Sequence, residues 1–424
     1  MVRILTIGAT CCGPNKGAAA MELSAFNVLR QLIPDLDFIV AISSIYFEPG
    51  IEYCQVHNLR HVDTQEHALK TGLRVARCFL WFILHRYLKL DAKALINEKL
   101  LQEYARADLI IDLSGDSISD NYHLLQSIQA CFFLLPAIFL GKAVVIYPQS
   151  IGPFRTKLAE FVARFTFNRV KFILTREEIT KDYLEKVGIN KAPVYLAPDI
   201  SFLLAPAPDE VIKEILLKEN IGKNDRPLIG MSVSQEITRF AKSKTRCKER
   251  YNSYVKLMAQ VVDYLVSRLN AKVILVPEVI GPTKASDDRV IGALVLDKVE
   301  HKDRALSITN EYGPEELRGL IGQCDLFIGA RMHANIAAFS MHIPTIAIAY
   351  SYKFHGIMKM LGQENFICDF TSLSFDELTH KIDEAWQNRT KIKKDLETRM
   401  AVIRDEALLS ARLTEDLLKS LKQS

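Results

Sequence analysis

The chain has 424 residues, 49% of them hydrophobic and 25% charged, the make-up of a folded globular protein and not of a disordered one. Fifty-four basic residues against 50 acidic ones leave a net charge of +4, too small an excess to argue for a nucleic-acid partner. Eight cysteines without a C-x-x-C pair or zinc-type spacing point away from a structural metal and toward reduced thiols in a cytosolic setting.

Val2 to Gly8 is too short an apolar run for a secretory signal and reads as a first buried strand. The loop after it is punctuated by Gly8, Gly13 and Gly17. Gly8 and Gly13 have the spacing that opens a phosphate loop, but Pro14-Asn15 stands where Lys-[Ser/Thr] is required, so a nucleotide P-loop is rejected. Asn15 and Lys16 are left at the mouth of a helix over 17–32, available to ligand hydroxyls or charge; a tight turn with no ligand accounts for them equally. Strand patterns follow at 37–42, 109–113, 143–147, 172–175 and 194–196. Helical periodicity alternates with them at 17–32, 95–105, 122–140, 158–167 and 177–187. Such alternation argues a parallel, doubly wound sheet.

One stretch, Leu73 to Lys89, mixes basic residues with a dense aromatic and aliphatic centre. A helix of that kind suits the headgroup region of an anionic membrane, but an intradomain or homo-oligomer contact is the favoured reading. No run reaches the roughly 18 apolar residues of a spanning helix.

Ala205-Pro206-Ala207-Pro208, a polar helix to Asn220 and Gly222 to Pro227 read as an interdomain connection. The alternation then restarts, with strands at 228–233, 272–276, 306–308, 326–328 and 345–349, and helices at 251–269, 290–296, 314–322 and 332–341. A charge-rich helix closes the chain from about Thr390. The expected organisation is therefore a Rossmann-like domain over 1–205, a linker over 206–226, a second Rossmann-like domain over 227–389, and a C-terminal helix over 390–424. Two such domains facing a cleft form the GT-B-like arrangement, whose ligands bind in loops beyond the strands' carboxyl ends.

Those loops carry the polar candidates. Asp116 and Asp120 follow the 109–113 strand, Asp116 as a possible base and Asp120 as a helix cap. Gln149 and Ser150 sit in a loop stiffened by Pro148, Gly152 and Pro153. Arg176 stands between a strand end and a helix, and so does Arg331, which gives one forked cation per domain for a small dianion. At Gly329-Ala330-Arg331-Met332-His333 the helix mouth adds free N–H groups suited to an anion. His333 adds the side-chain type suited to proton transfer near neutrality. The basic run Arg239–Arg250 reads as a solvated loop, with a lid over an anionic ligand as the lesser reading.

Four stretches together resemble the polysaccharide pyruvyl transferase family: Asn15-Lys16-Gly17-Ala18, Pro148 to Pro153, Ala197-Pro198-Asp199, and above all Gly329 to Ala334 continuing through Ile343-Pro344-Thr345 to Tyr350, Lys353 and Gly356. Leu113-Ser114-Gly115-Asp116 departs from the family's glycine-richer loop. The resemblance implies a GT-B-like enzyme that moves the enolpyruvyl part of phosphoenolpyruvate, as co-substrate and with no further cofactor or metal, onto a sugar or lipid-linked saccharide. It implies a donor site of Arg331, the Met332 backbone, His333 and Arg176, to which Gln149 is added. His333 is the expected general acid and Asp116 the expected base, with Asn15, Lys16, Gly17, Asp116 and Ser150 toward the acceptor.

Two other classes stay open. One is a sugar-nucleotide glycosyltransferase of the same fold, although no two glutamates between Ala271 and Asp395 have the eight-residue spacing of many retaining ones. The other is a non-catalytic member that binds an anionic sugar.

Overall fold

Leu109–Asp112 and Thr345–Ala349 are buried at every position, as strands covered by helices on both faces must be. In a computed structural model, residues 1–8, 13–43, 51, 54–57, 59–64, 68–120, 126–222, 226–235, 237 and 247–423 are described. The basic stretch 239–246 and the residues Cys11 and Cys12 lie outside them.

The chain divides into two units. The first comprises Met1–Gly13, Ala18–Leu203 and Asp405–Ser424; the second comprises Pro14–Gly17 and Leu204–Arg404. The first unit holds seven parallel strands: β1 Val2–Ile7, β2 Leu36–Ile42, β3 Arg60–Asp63, β4 Leu109–Asp112, β5 Ala143–Gln149, β6 Phe172–Thr175 and β7 Val194–Leu196. Their order is β3-β2-β1-β4-β5-β6-β7. The second unit holds six: β8 Leu228–Ser232, β9 Lys272–Leu275, β10 Ala305–Ser307, β11 Leu326–Gly329, β12 Thr345–Ala349 and β13 Ile367–Asp369. Their order is β10-β9-β8-β11-β12-β13. Both sheets reverse direction of build-up once, between β1 and β4 and between β8 and β11. At such switch points the strand ends leave a crevice for ligand.

Each sheet owns its core. In the first, Leu5, Ile110, Val144 and Ile173 pack with Tyr104, Leu134 and Phe167 from the covering helices. Burying each aliphatic side chain of this kind contributes about 1.5–3 kcal/mol against water. In the second, Ile274 and Phe327 pack with Leu317, Leu320 and Ala338. Cys54, Cys78, Cys131, Cys324 and Cys368 are buried free thiols.

Four features differ from the pattern reading. The edge strands β3 and β13 were not expected, because β3 has a single apolar residue and β13 is only three residues long. The described residues of the linker expected over 206–226 belong to the second unit. Their helix, Asp209–Lys218, turns Ile212 and Ile215 into the core of the second unit, and the backbone of Ala207 donates to Glu315. The boundary falls instead at Leu203/Leu204, where the buried Arg318 donates to the Leu204 carbonyl. Finally, the C-terminal helical segment is two helices, Arg389–Ala407 and Leu409–Gln423. From Asp405 onward it belongs to the first unit, where the hydroxyls of Thr414 and Tyr147 are 2.9 Å apart.

Candidate functional site

In the second unit β9, β8 and β11 lie side by side, so the loops after them meet. β11 ends in Gly329, and helix Met332–Ser340 starts three residues later. The turn is this tight because Gly329 has no side chain: a Cβ there would lie 1.6 Å from Oδ1 of Asn335, whose amide donates to the Gly329 carbonyl. Arg331 is the residue before the helix, and its backbone N–H donates to the Ser232 hydroxyl at the end of β8.

The Arg331 guanidinium is not open-handed. Its Nε and Nη2 donate to the two carboxylate oxygens of Asp288 at 3.0 and 2.7 Å. Asp288 opens helix Asp288–Lys298, an end that favours negative charge. It also accepts backbone N–H bonds from Gln235 at 2.9 Å, Glu278 at 3.3 Å and Val279 at 3.0 Å. One buried carboxylate thus ties the loops after β8 and β9 to the arginine after β11.

The Pro14–Gly17 segment joins this cluster rather than the first unit, to which the sequence pattern assigned it. Lys16 N–H donates to the Glu278 carbonyl, Ile280 N–H donates to the Pro14 carbonyl, and Asn15 bridges Val279. The Lys16 ammonium lies 2.6 Å from Glu311. Gly17 faces the imidazole of His333 so closely that a Cβ would stand 2.2 Å from Nδ1. Glu278 is buried beside these groups. Burial pushes its carboxyl up from the usual range; the field of His333 pulls it back, Asp288 pushes it further, and Arg331 and Arg318 pull it back. Glu278 thus lies within electrostatic reach of the His333 imidazole and of Arg331.

The first unit brings together a second group. Arg176, buried, donates from Nη1 to Asp199 at 2.6 Å and from Nη2 to the Gly115 carbonyl and the Ser150 hydroxyl, each at 3.2 Å. Asp116, half-buried in the Gly115 loop, adds to the field on Arg176. Gln149 Nε2 donates 2.7 Å to Asp112, which the Ser114 hydroxyl also contacts. Burial raises the Asp112 carboxyl to about 6, against the pull of those two partners. Asp120 accepts from the Ser127 hydroxyl and from the Arg155 backbone, and the helix start it was expected to cap lies outside the described residues.

The structure therefore places Asn15, Lys16, Gly17, Arg331, Met332 and His333 in one cluster and Asp116, Gln149, Ser150 and Arg176 in another. Pattern reading passed over Asp288 and Asp112, and it gave Asp199 and Glu278 no role of their own. Glu278 and Asp199 lie in post-strand loops, and Asp112 is a charge ending an apolar run, so each left a trace. Asp288 left none, since nothing local links it to an arginine 43 residues on.

Two parallel sheets with these strand orders define a GT-B-like protein. Similar solved structures carry that fold: MnaA of S. aureus with UDP, at TM-score 0.62 and 9% identity over 100% of this chain and 97% of that one. Another is Anabaena Alr3699/HepE with UDP and glucose, at 0.59 and 12% over 99% and 100%. At these identities the likeness concerns the fold alone. The model of the polysaccharide pyruvyl transferase family matches residues 15–352, and the chain belongs to that family. It is also similar to the amylovoran biosynthesis protein AmsJ of Erwinia amylovora, 25% identical over 430 residues covering 99% of this chain and 100% of that protein.

Proposed function

We propose that the chain transfers the enolpyruvyl group of phosphoenolpyruvate to two hydroxyls of one sugar in a polysaccharide precursor, forming a pyruvate ketal and releasing phosphate. The observation that carries this reading is the helix mouth at Arg331–His333, with a buried carboxyl, Glu278, electrostatically coupled to the imidazole. Phosphoenolpyruvate brings a carboxylate and a phosphate, and the Arg331 guanidinium with the helix N-terminus complements such a dianion.

In this reading His333 protonates the methylene carbon, which makes C2 electrophilic. One sugar hydroxyl adds to C2, the second closes the ring, and the C2–O bond to phosphate breaks. Of the two hydroxyl protons, one is the equivalent of that now on the methyl group and the other leaves with phosphate. Glu278 returns a proton to His333 between turnovers, and Asp116 is the candidate base for the hydroxyls. Arg331 and Arg176 are assigned to the donor's charge.

Calorimetric titration of phosphoenolpyruvate tests the assignment. Saturable binding is expected for the wild type, lost in Arg331→Ala and Arg176→Ala and retained in His333→Gln. Binding of UDP-sugars with none of phosphoenolpyruvate would instead assign the chain to sugar-nucleotide transfer and leave His333 without this role.

A further inference from the structure

Three helices of the first unit, Ala68–Arg86, Gln126–Phe139 and Lys157–Phe167, share an aromatic surface. The rings of Phe79 and Phe82 lie 5.3 and 6.2 Å from that of Phe139, and Phe139 lies 6.4 Å from Phe165. Tyr87 extends the row from Phe82 at 5.7 Å. On helix Lys157–Phe167 the spacing of Leu158, Phe161 and Phe165 puts all three on one face. Phe139 packs against the core from below, and the residues around it reach outward. Leu158 and Phe161 are 59% and 58% exposed, and Phe79 and Leu80 are 48% and 45% exposed. Leaving so much connected apolar surface in water is costly, and it marks an interaction site.

Its charges say what kind. Residues 68–90 contain no acid at all, and helix Lys157–Phe167 contains one, the half-exposed Glu160. Arg86, Lys89, Lys157 and Arg164 are exposed and enter no ion pair among the described residues. Arg169 lies over the Phe165 ring at 3.7 Å. A second copy of the chain docked face to face would set these cations against their own kind. An anionic bilayer neutralises them, while the aromatic rings and leucines enter the headgroup boundary and the long basic stems reach outward.

We propose that this face docks the protein on an anionic lipid surface. The proposal stands on the first unit alone and does not depend on the pyruvyl reading. It is tested with the full chain by flotation with vesicles of equimolar phosphatidylglycerol and phosphatidylcholine, against vesicles of phosphatidylcholine alone. The wild type is expected to float with the anionic vesicles only, and less so at high salt. Arg86→Gln with Lys89→Gln should weaken partitioning about fivefold for each cation removed. Leu158→Ser with Phe161→Ser should weaken it about tenfold or more. All four positions are exposed, so an unchanged melting curve shows that each variant is folded. Absence of wild-type flotation, or flotation unchanged in both double variants, would overturn the proposal. So would a wild-type dimer in sedimentation velocity that Leu158→Ser with Phe161→Ser makes monomeric without vesicle binding in either, which would assign the face to a second copy.

Discussion

Arg176 and Arg331 each lie within two residues of a strand end and of the helix that follows it, yet they are built into opposite networks. In the first unit the hub is the cation: Arg176 collects Asp199, the Gly115 carbonyl and the Ser150 hydroxyl, and so joins the loops after β4, β5 and β7. In the second unit the hub is the anion: Asp288 collects three backbone N–H groups and the fork of Arg331. An arginine near a strand end thus organises its surroundings in one case and completes a nest made by another residue in the other. An arginine that completes a nest can be altered with less damage to the fold than one that founds it.

The sharpest test of the second cluster is at Gly17. Alanine there puts a methyl group 2.2 Å from Nδ1 and 2.6 Å from Cβ of His333, so the ring and the backbone beside it must both move. Activity is expected to fall by about 10²–10⁴-fold, as for removal of a general acid. Glu278→Gln, which keeps shape and removes the carboxyl proton, should remove the contribution of Glu278 to the pH dependence of kcat. An active Gly17→Ala enzyme would show that His333 is not the acid.

The hub contrast itself predicts an asymmetry in stability. Removing the hub, by Arg176→Met in the first unit or Asp288→Ala in the second, strands its buried partners and should cost about 3–5 kcal/mol. Removing the completing residue in the second unit, by Arg331→Met, leaves Asp288 its three N–H donors and should cost about 1–3 kcal/mol. Denaturant midpoints measure the difference. Equal losses for Asp288→Ala and Arg331→Met would erase the distinction between the two networks.

The smallest effect expected is at Asp112, and it is a dependence on pH. Its carboxyl is raised by burial to about 6 in the folded chain, so between its ordinary range and that value the folded state holds a proton the unfolded state has lost. The stabilisation is fully present below about pH 4 and is lost as pH rises through about 6, by up to about 3 kcal/mol at about 1.4 kcal/mol per pH unit. Asp112→Asn removes that slope. Gln149 Oε1, which has no partner among the described residues, can then accept from the new amide after the Gln149 amide turns over. Melting temperatures of the two proteins should converge in acid and separate above pH 6, with the variant the more stable. A constant difference across pH would mean that Asp112 does not titrate there.

The alternation of buried strands and amphipathic helices was written locally, in period-2 and 3.6 apolar patterns. The fold class, both sheets' central strands and most helices could therefore be read from the chain. Short edge strands such as Arg60–Asp63, with one buried side chain among four residues, have no such pattern. The interdomain boundary failed for a related reason. Pro206 and Pro208 look like a break, but Ile212 and Ile215, spaced for one helix face, hold the segment to the second unit. Arg331, His333, Arg176 and Lys16 were legible as residue types at strand ends, where backbone chemistry favours anions.

What each of them touches was not legible. An ion pair such as Arg331–Asp288 depends on which strand ends the sheet order brings side by side, and strand order is set by packing over the whole chain. The sequence by itself determined the elements and the chemistry on offer after each strand. Only the tertiary structure decided that residues 14–17 lie with His333, that Glu278 is buried beside it, and that an aromatic row with a basic rim is left in water. Burial and proximity across the chain decide these, and local periodicity carries no record of them.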